Sequence, residues 1–234
     1  MSYAYDQGVT AALAPADART TFIRRTYANL AGAVLAFAAI EYVILHIPGI
    51  ENVLMAMFGG PIQVLIMFAL FVGVSWIAER WALNSTSIEM QYAGLGLYVL
   101  VEAVIFLPLL YVANVRFPGA IATAGVLSLS VFGGLTLAVF TTKKDFSFLG
   151  PIISIASLVA IGFIIAGLIF GFSLGLFFSL AMVALASACI LYQTSNVLHH
   201  YRTDQPVAAS LALFAAVALL FFYVLRVVMA AQRD

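Results

Sequence analysis

The chain has 234 residues, 65% hydrophobic and 9% charged, with ten Lys and Arg offsetting ten Asp and Glu. A soluble domain carries about 25% charged residues, so this composition, with a mean hydropathy of +1.12, excludes a soluble globular protein and reads as an integral membrane protein. Zero net charge gives nucleic-acid binding no support, and a single cysteine, Cys189, excludes an intramolecular disulfide.

Apolar runs long enough to span a bilayer recur along the chain. In hydrocarbon the backbone must satisfy its own hydrogen bonds, which leaves helices or a closed barrel. The runs show no period-2 alternation, so the expected class is all-α. Residues 1–25 read as a cytoplasmic N-terminal tail, 26–230 as the membrane domain and 231–234 as a C-terminal tail. Arg19, Arg24 and Arg25 precede the first apolar run, which is too long for a signal peptide's core and has no early cleavage site. An uncleaved first span is therefore expected.

Span 1 is expected from Tyr27 to Ile47, ending at Pro48-Gly49. A linker follows, with Met55 to Phe58 as an interfacial turn and Gly59-Gly60-Pro61 opening span 2, which reaches Ala78. A polar loop carries Glu79, Arg80, Asn84, Ser85, Thr86, Ser87 and Glu89. Span 3 covers Tyr92 to Val112, span 4 Gly119 to Phe140, span 5 Leu149 to Phe170, span 6 Leu174 to Leu198, and span 7 Pro206 to Val228. With seven spans, Arg19, Arg24, Arg25, Arg80, Lys143, Lys144 and Arg202 fall on one side, and Arg116 and Arg233 on the other. That bias places the N-terminus in the cytoplasm. The alternative is six spans with one re-entrant segment. Helix interfaces are expected at small residues, with Gly94, Gly96, Gly133, Gly134, Gly167, Gly171 and Gly175 as candidates.

Polar groups at membrane depth mark candidate sites. Glu102 lies near the middle of span 3, on one helical face with Gly94 and Tyr98. It is either the acid of an ion or proton path, or a protonated carboxyl bonded to a neighbouring helix. Glu41, near the outer end of span 1, lines an outer vestibule or, more simply, reaches headgroup water. Arg226 snorkels at the outer end of span 7 or pairs with a carboxylate. Gln193, Asn196 and His200 form a polar stripe on span 6, at spacings that suit helix glue or a water path. His199 and His200 point to different faces and His46 is remote, so no metal centre and no resident cofactor are expected. Gly171-Phe172-Ser173-Leu174-Gly175 matches a hydrolase elbow pattern, but it falls in a turn between spans, with Ser173 at the outer interface. No catalytic residues are assigned and no enzyme is expected. Lys143-Lys144-Asp145 reads as an inside-positive stop.

Several stretches together resemble the Bax inhibitor-1 family (transmembrane Bax-inhibitor-motif proteins), in its bacterial branch. They are Thr20 to Tyr27 (TTFIRRTY), Thr142 to Gly150 (TKKDFSFLG), Leu191 to Ser195 (LYQTS) and the span 7 run from Leu211 to Arg226. The resemblance implies a seven-helix fold with the last helix central and six packed around it, in the bacterial inner membrane. It implies a pH-sensitive calcium leak, with calcium bound only in transit. It implies cell-death regulation in animal members, and for some bacterial relatives modulation of a membrane-anchored quality-control protease. The family's leak is gated by two aspartates. The span 6 motif places the first at Gln193, and ungapped alignment back from Arg226 places the second at Ala216. Neither side chain titrates, so the coupled pair that gives pH gating is absent. Two readings follow: a cation leak lined by Glu102 and the Gln193 face, or a non-transporting partner in protease quality control or stress response. A cavity shared by Glu102 and Gln193 favours the first. The lipid bilayer is the one certain partner in either case, and the oligomeric state stays open.

Overall fold

The structure, a computed structural model, describes residues 9–84 and 87–233. Residues 1–8 of the expected tail, Ser85 and Thr86 of the loop after span 2, and Asp234 of the C-terminal tail lie outside the described residues.

Among the described residues, eight helices follow in order: α1 (Ala16–Leu45), α2 (Ile50–Phe58), α3 (Pro61–Ala82), α4 (Ile88–Arg116), α5 (Ala120–Thr142), α6 (Leu149–Phe170), α7 (Gly175–His199) and α8 (Pro206–Ala231). All except α2 are long and apolar enough to cross a membrane. This seven-span arrangement replaces the six-span alternative.

The expected spans are present, but their ends move outward. α1 is 30 residues long, about 45 Å against a hydrocarbon core of about 30 Å. It starts at Ala16 because Ala16 and Ala18 are strong helix formers and Asp17 meets the positive helix start. Arg19, Arg24 and Arg25, placed in the expected tail, therefore ride on the first turns of α1. α3 likewise runs on through Glu79 and Arg80, where the Arg80 guanidinium sits 4.0 Å over the Trp76 ring. Glu89 falls within α4, whose start is capped by the Ser87 hydroxyl accepting from the Met90 N–H at 3.2 Å.

The linker after span 1 is a correction. Met55 to Phe58 is not a turn but the end of the helix α2. Gly49, at φ +81°, breaks the chain after α1. Ile50 and Leu54, one turn apart, then bury against Leu107, Ile44 and Tyr111, which gives the segment an amphipathic helical register.

α8 is the core of the bundle. In its apolar window 56% of residues are buried, against 6% for α3 and α6. It packs against α1, α3, α4, α5 and α7. α6 is the most peripheral helix, leaning on α7 and reaching α8 where Ala160 joins Met182 and Tyr223.

The glycines divide by role. A Cβ on Gly94 would lie 2.5 Å from the Ala78 carbonyl oxygen and 2.6 Å from the Ala82 nitrogen, so α3 and α4 cross backbone to backbone there. Gly96, Gly133 and Gly134 have open space where a Cβ would go, so they do not form the expected interfaces. Gly171 (φ +73°) and Gly175 (φ +65°) shape the short α6–α7 turn. Gly94→Ala is expected to lower unfolding stability by about 1–3 kcal/mol, whereas Gly96→Ala stays within about 0.5 kcal/mol. Thermal unfolding of the two variants in detergent checks this.

Candidate functional site

A cavity of about 750 Å³ lies among α3, α4, α6, α7 and α8. Its walls are mainly apolar, and Tyr98, Glu102, Gln193, Ala216 and Arg226 all line it. Glu102 and Tyr98 sit one turn apart on α4, each 6% exposed, and both line the cavity. Burying a carboxyl at membrane depth costs about 3 kcal/mol or more when ionised. Gln193 faces the same space from α7, and Ala216 faces it from α8 with 5% exposure. The two positions of the family's aspartate pair therefore line one cavity with Glu102.

The expected polar stripe on α7 is divided in two. The Asn196 amide donates to Gln193 Oε1 at 3.3 Å, but Asn196 does not line the cavity. His200 turns away to the α5–α6 loop, its Nε2 3.2 Å from Asp145 Oδ2. Arg226 is half-buried along the cavity wall, 5.8 Å from the Tyr223 ring. Among the described residues it forms no ion pair, so it lines the cavity rather than simply snorkelling. Ser173, exposed in the α6–α7 turn, also lines the cavity. No histidine lines it, so the hydrolase elbow has no histidine base there.

Glu41 is a second correction. It does not reach headgroup water: it is 4% exposed and lines a separate cavity of about 710 Å³ among α1, α4, α5 and α8. An aromatic group stands between the two cavities. Phe106 meets Phe37 at 5.1 Å, Phe222 at 5.2 Å and Phe221 at 6.0 Å between ring centroids.

The Lys143-Lys144-Asp145 segment does more than stop a span. Lys143 takes the left-handed conformation (φ 51°) and turns the chain. The Ser195 hydroxyl accepts from the Phe146 N–H at 2.9 Å and donates to Asp145 Oδ1 at 3.3 Å. The Ser147 N–H donates to the same Asp145 oxygen at 2.8 Å. A Cβ on Gly150 would come within 3.2 Å of the Tyr192 ring. The two most specific motifs, TKKDFSFLG and LYQTS, are thus the two halves of one contact that pins the α5–α6 loop to α7. Nothing in local spacing announces this contact; the co-occurrence of the two motifs was the available signal. These hydrogen bonds, the Ser147 N–H foremost, with the neighbouring His200, hold the Asp145 carboxyl below the usual carboxylate range.

A second contact closes the same end. The Ala11 N–H donates to the Tyr201 carbonyl at 2.9 Å, and Thr10 bridges to Arg202. Tyr201 is packed beneath, and burial pushes its phenol up to about 12. Among the described residues, no group of three His, Cys, Asp or Glu side chains is placed to hold a metal ion.

Comparison with known proteins agrees with these motifs. Residues 19–234 match the family described as "Inhibitor of apoptosis-promoting Bax1". An uncharacterised protein of Pseudomonas aeruginosa is 29% identical over 210 residues, covering 88% of this chain and 87% of that protein. An uncharacterised protein of Campylobacter jejuni is 27% identical over 215 residues, with 88% and 87% covered. A BI1-like protein of Arabidopsis thaliana is 33% identical over 117 residues, 44% of this chain and 42% of that protein. No solved structure matches the chain.

The loop contact carries two expected outcomes. Ser195→Ala leaves the Phe146 N–H unpaired and should lower stability by about 1 kcal/mol. Asp145 has its folded-state value depressed, so its contribution is present above the ordinary carboxylate range and is lost as pH falls through the depressed value. Unfolding midpoints of the unaltered protein and Asp145→Asn should therefore differ at about pH 6 and converge as pH falls well below the ordinary carboxylate range. A difference that persists unchanged in acid would assign the contact's strength to something other than the carboxylate.

Proposed function

The chain belongs to the Bax inhibitor-1 family of integral membrane proteins, and from that premise we propose that it is a cation leak, with calcium the ion of first choice. Glu102 is the acid of the path, and the protein runs without a di-aspartyl pH sensor. The observation that carries the reading is the single cavity lined by Glu102, Tyr98 and Gln193. A calcium ion in transit takes oxygen ligands, and this wall offers a carboxylate, a phenol and an amide carbonyl. One carboxylate with neutral oxygens binds weakly, which suits a leak, since an ion that binds too well does not leave. The pinned α5–α6 loop and the bridge from Thr10 to Arg202 sit at the positive, cytoplasmic end, consistent with a closed conformation. The cytoplasmic N-terminus and the inner-membrane location are part of this proposal and rest on the Lys and Arg bias.

Gln193 and Ala216 replace the pair whose shared proton would couple flux to pH. Neither gains or loses charge, so that source of gating is missing even though both positions still face the path.

One observation favours the second reading, a non-transporting modulator of a membrane-anchored quality-control protease or of a stress response. α6 has a single buried residue, Ala160, and exposes large apolar side chains including Ile152, Ile155, Leu158 and Val159, where a partner helix has room to dock.

Reconstitution in liposomes separates the two readings. A leak predicts calcium flux that falls about tenfold in Glu102→Gln, a barrier rise of about 1.4 kcal/mol. Absent flux leaves the modulator reading, and flux unchanged by that substitution keeps a leak but removes Glu102 from its path. Flux followed from pH 6 to 8 should lack the pair's response; a steep dependence abolished by Gln193→Ala would show that the sensor survives in another form.

A further inference from the structure

The outer cavity around Glu41 has no part in the proposed leak. Its carboxylate is 4% exposed, and among the described residues neither oxygen has a hydrogen-bond partner. Ser128, across the cavity on α5, is 2% exposed and its hydroxyl is also unpartnered. Both side chains line a space of about 710 Å³. The floor is formed by Phe37 and, from α8, Phe214 and Phe221. The rim residues Ala38, Tyr42, Ala122 and Leu129 are exposed, so the space opens sideways between α1 and α5. Towards the other end of this helix pair, Tyr27 closes the gap by packing on Phe132 and Phe140.

An unpaired acid at the base of an aromatic pocket lacks a positive partner. No cation of this chain supplies one: among the described residues, Glu41 has no ion pair, and no Lys or Arg lines the cavity. The nearby titratable ring, His46, is on the rim. It is exposed, its Nδ1 lies 2.6 Å from the Tyr42 carbonyl and its ring centroid 4.3 Å from that of Tyr42.

We infer that this cavity is a binding site for a lipophilic monovalent organic cation, entering sideways from the outer leaflet, with its charge on Glu41 and its apolar body against Phe37, Phe214 and Phe221. The chemistry selects this class over others. A metal ion such as calcium needs several oxygen ligands, whereas the buried part of the cavity supplies one carboxylate and one hydroxyl, and its other polar side chains, Tyr42, His46 and Asn114, are exposed at the rim. A lipid tail would satisfy the apolar walls but leave the acid unpaired. A bulky organic cation pairs with the carboxylate, and the ring faces attract its charge. The space also suits a drug-sized molecule.

Tetraphenylphosphonium is the probe, with triphenylphosphine oxide as a neutral compound of related shape. Binding to the full chain in nanodiscs is measured by equilibrium dialysis. The expected result is saturable tetraphenylphosphonium binding, at least about tenfold weaker in Glu41→Gln, unchanged in Glu102→Gln, and absent for the neutral compound. Equal uptake of the two compounds would make the cavity a lipid groove and overturn the inference, as would non-saturable binding or equal affinity in Glu41→Gln. If Glu41→Gln does not fold, Ala122→Trp serves instead, because it fills the exposed rim. Loss of binding in that variant supports the site, and retention refutes it. Glu102→Gln also separates this result from the leak, since it is expected to reduce flux while leaving cation binding intact.

Discussion

Everything in this bundle depends on α8 being surrounded. A helix with neighbours on nearly every face has no water to receive a polar side chain, so its interior residues must be apolar or satisfy themselves. α8 obeys both conditions: its buried positions are dominated by Ala, Val and Leu, and the buried Ser210 hydroxyl donates back to the Val207 carbonyl at 2.7 Å. The buried alanines at 208 and 209 leave room for neighbouring backbones to come close. The polar chemistry is therefore displaced to the helices that look at α8. Glu102 on α4 and Glu41 on α1 each face a cavity that α8 helps to wall.

The two acids differ in their surroundings. Glu102 has the Tyr98 side chain one turn away on its own helix, lining the same cavity, while the Glu41 oxygens have no hydrogen-bond partner among the described residues. The aromatic contacts of Phe106 with Phe37, Phe221 and Phe222 keep the two spaces apart. A packed aromatic partition of this kind is stiff, so a ligand in one cavity need not alter the other.

The class and the number of spans were legible in the sequence because hydrophobic length is a one-dimensional property, and span 5 coincides with α6 from Leu149 to Phe170. Helix ends were less legible: hydropathy stops at the hydrocarbon edge, but the backbone keeps its hydrogen bonds for another turn or two, as in α1 and α3. Glycine content alone did not identify interfaces, since Gly94 packs on backbone while Gly133 and Gly134 face open space. Glu102, Gln193 and Ala216 could be singled out from depth and motif. That they line one cavity depends on how three helices cross. Glu41 was misread for a similar reason: its position near a span end says nothing of the concave surface beside it. The partners of Asp145 lie far along the chain, at Ser195 and His200, where no periodicity reaches.

The position of α8 also has a consequence for biogenesis. The most enclosed helix is synthesised after every helix that encloses it. During translation the earlier spans enter the bilayer with no centre to pack on, so their inward faces must be covered by lipid or by the insertion machinery. The Ala11–Tyr201 and Thr10–Arg202 pairings join the segment before α1 to the loop that leads into α8, so a segment made before α1 waits for one made after α7. Assembly should therefore be late and cooperative rather than helix by helix, and a ribosome stalled before Pro206 would leave an open ring for membrane quality control to recognise.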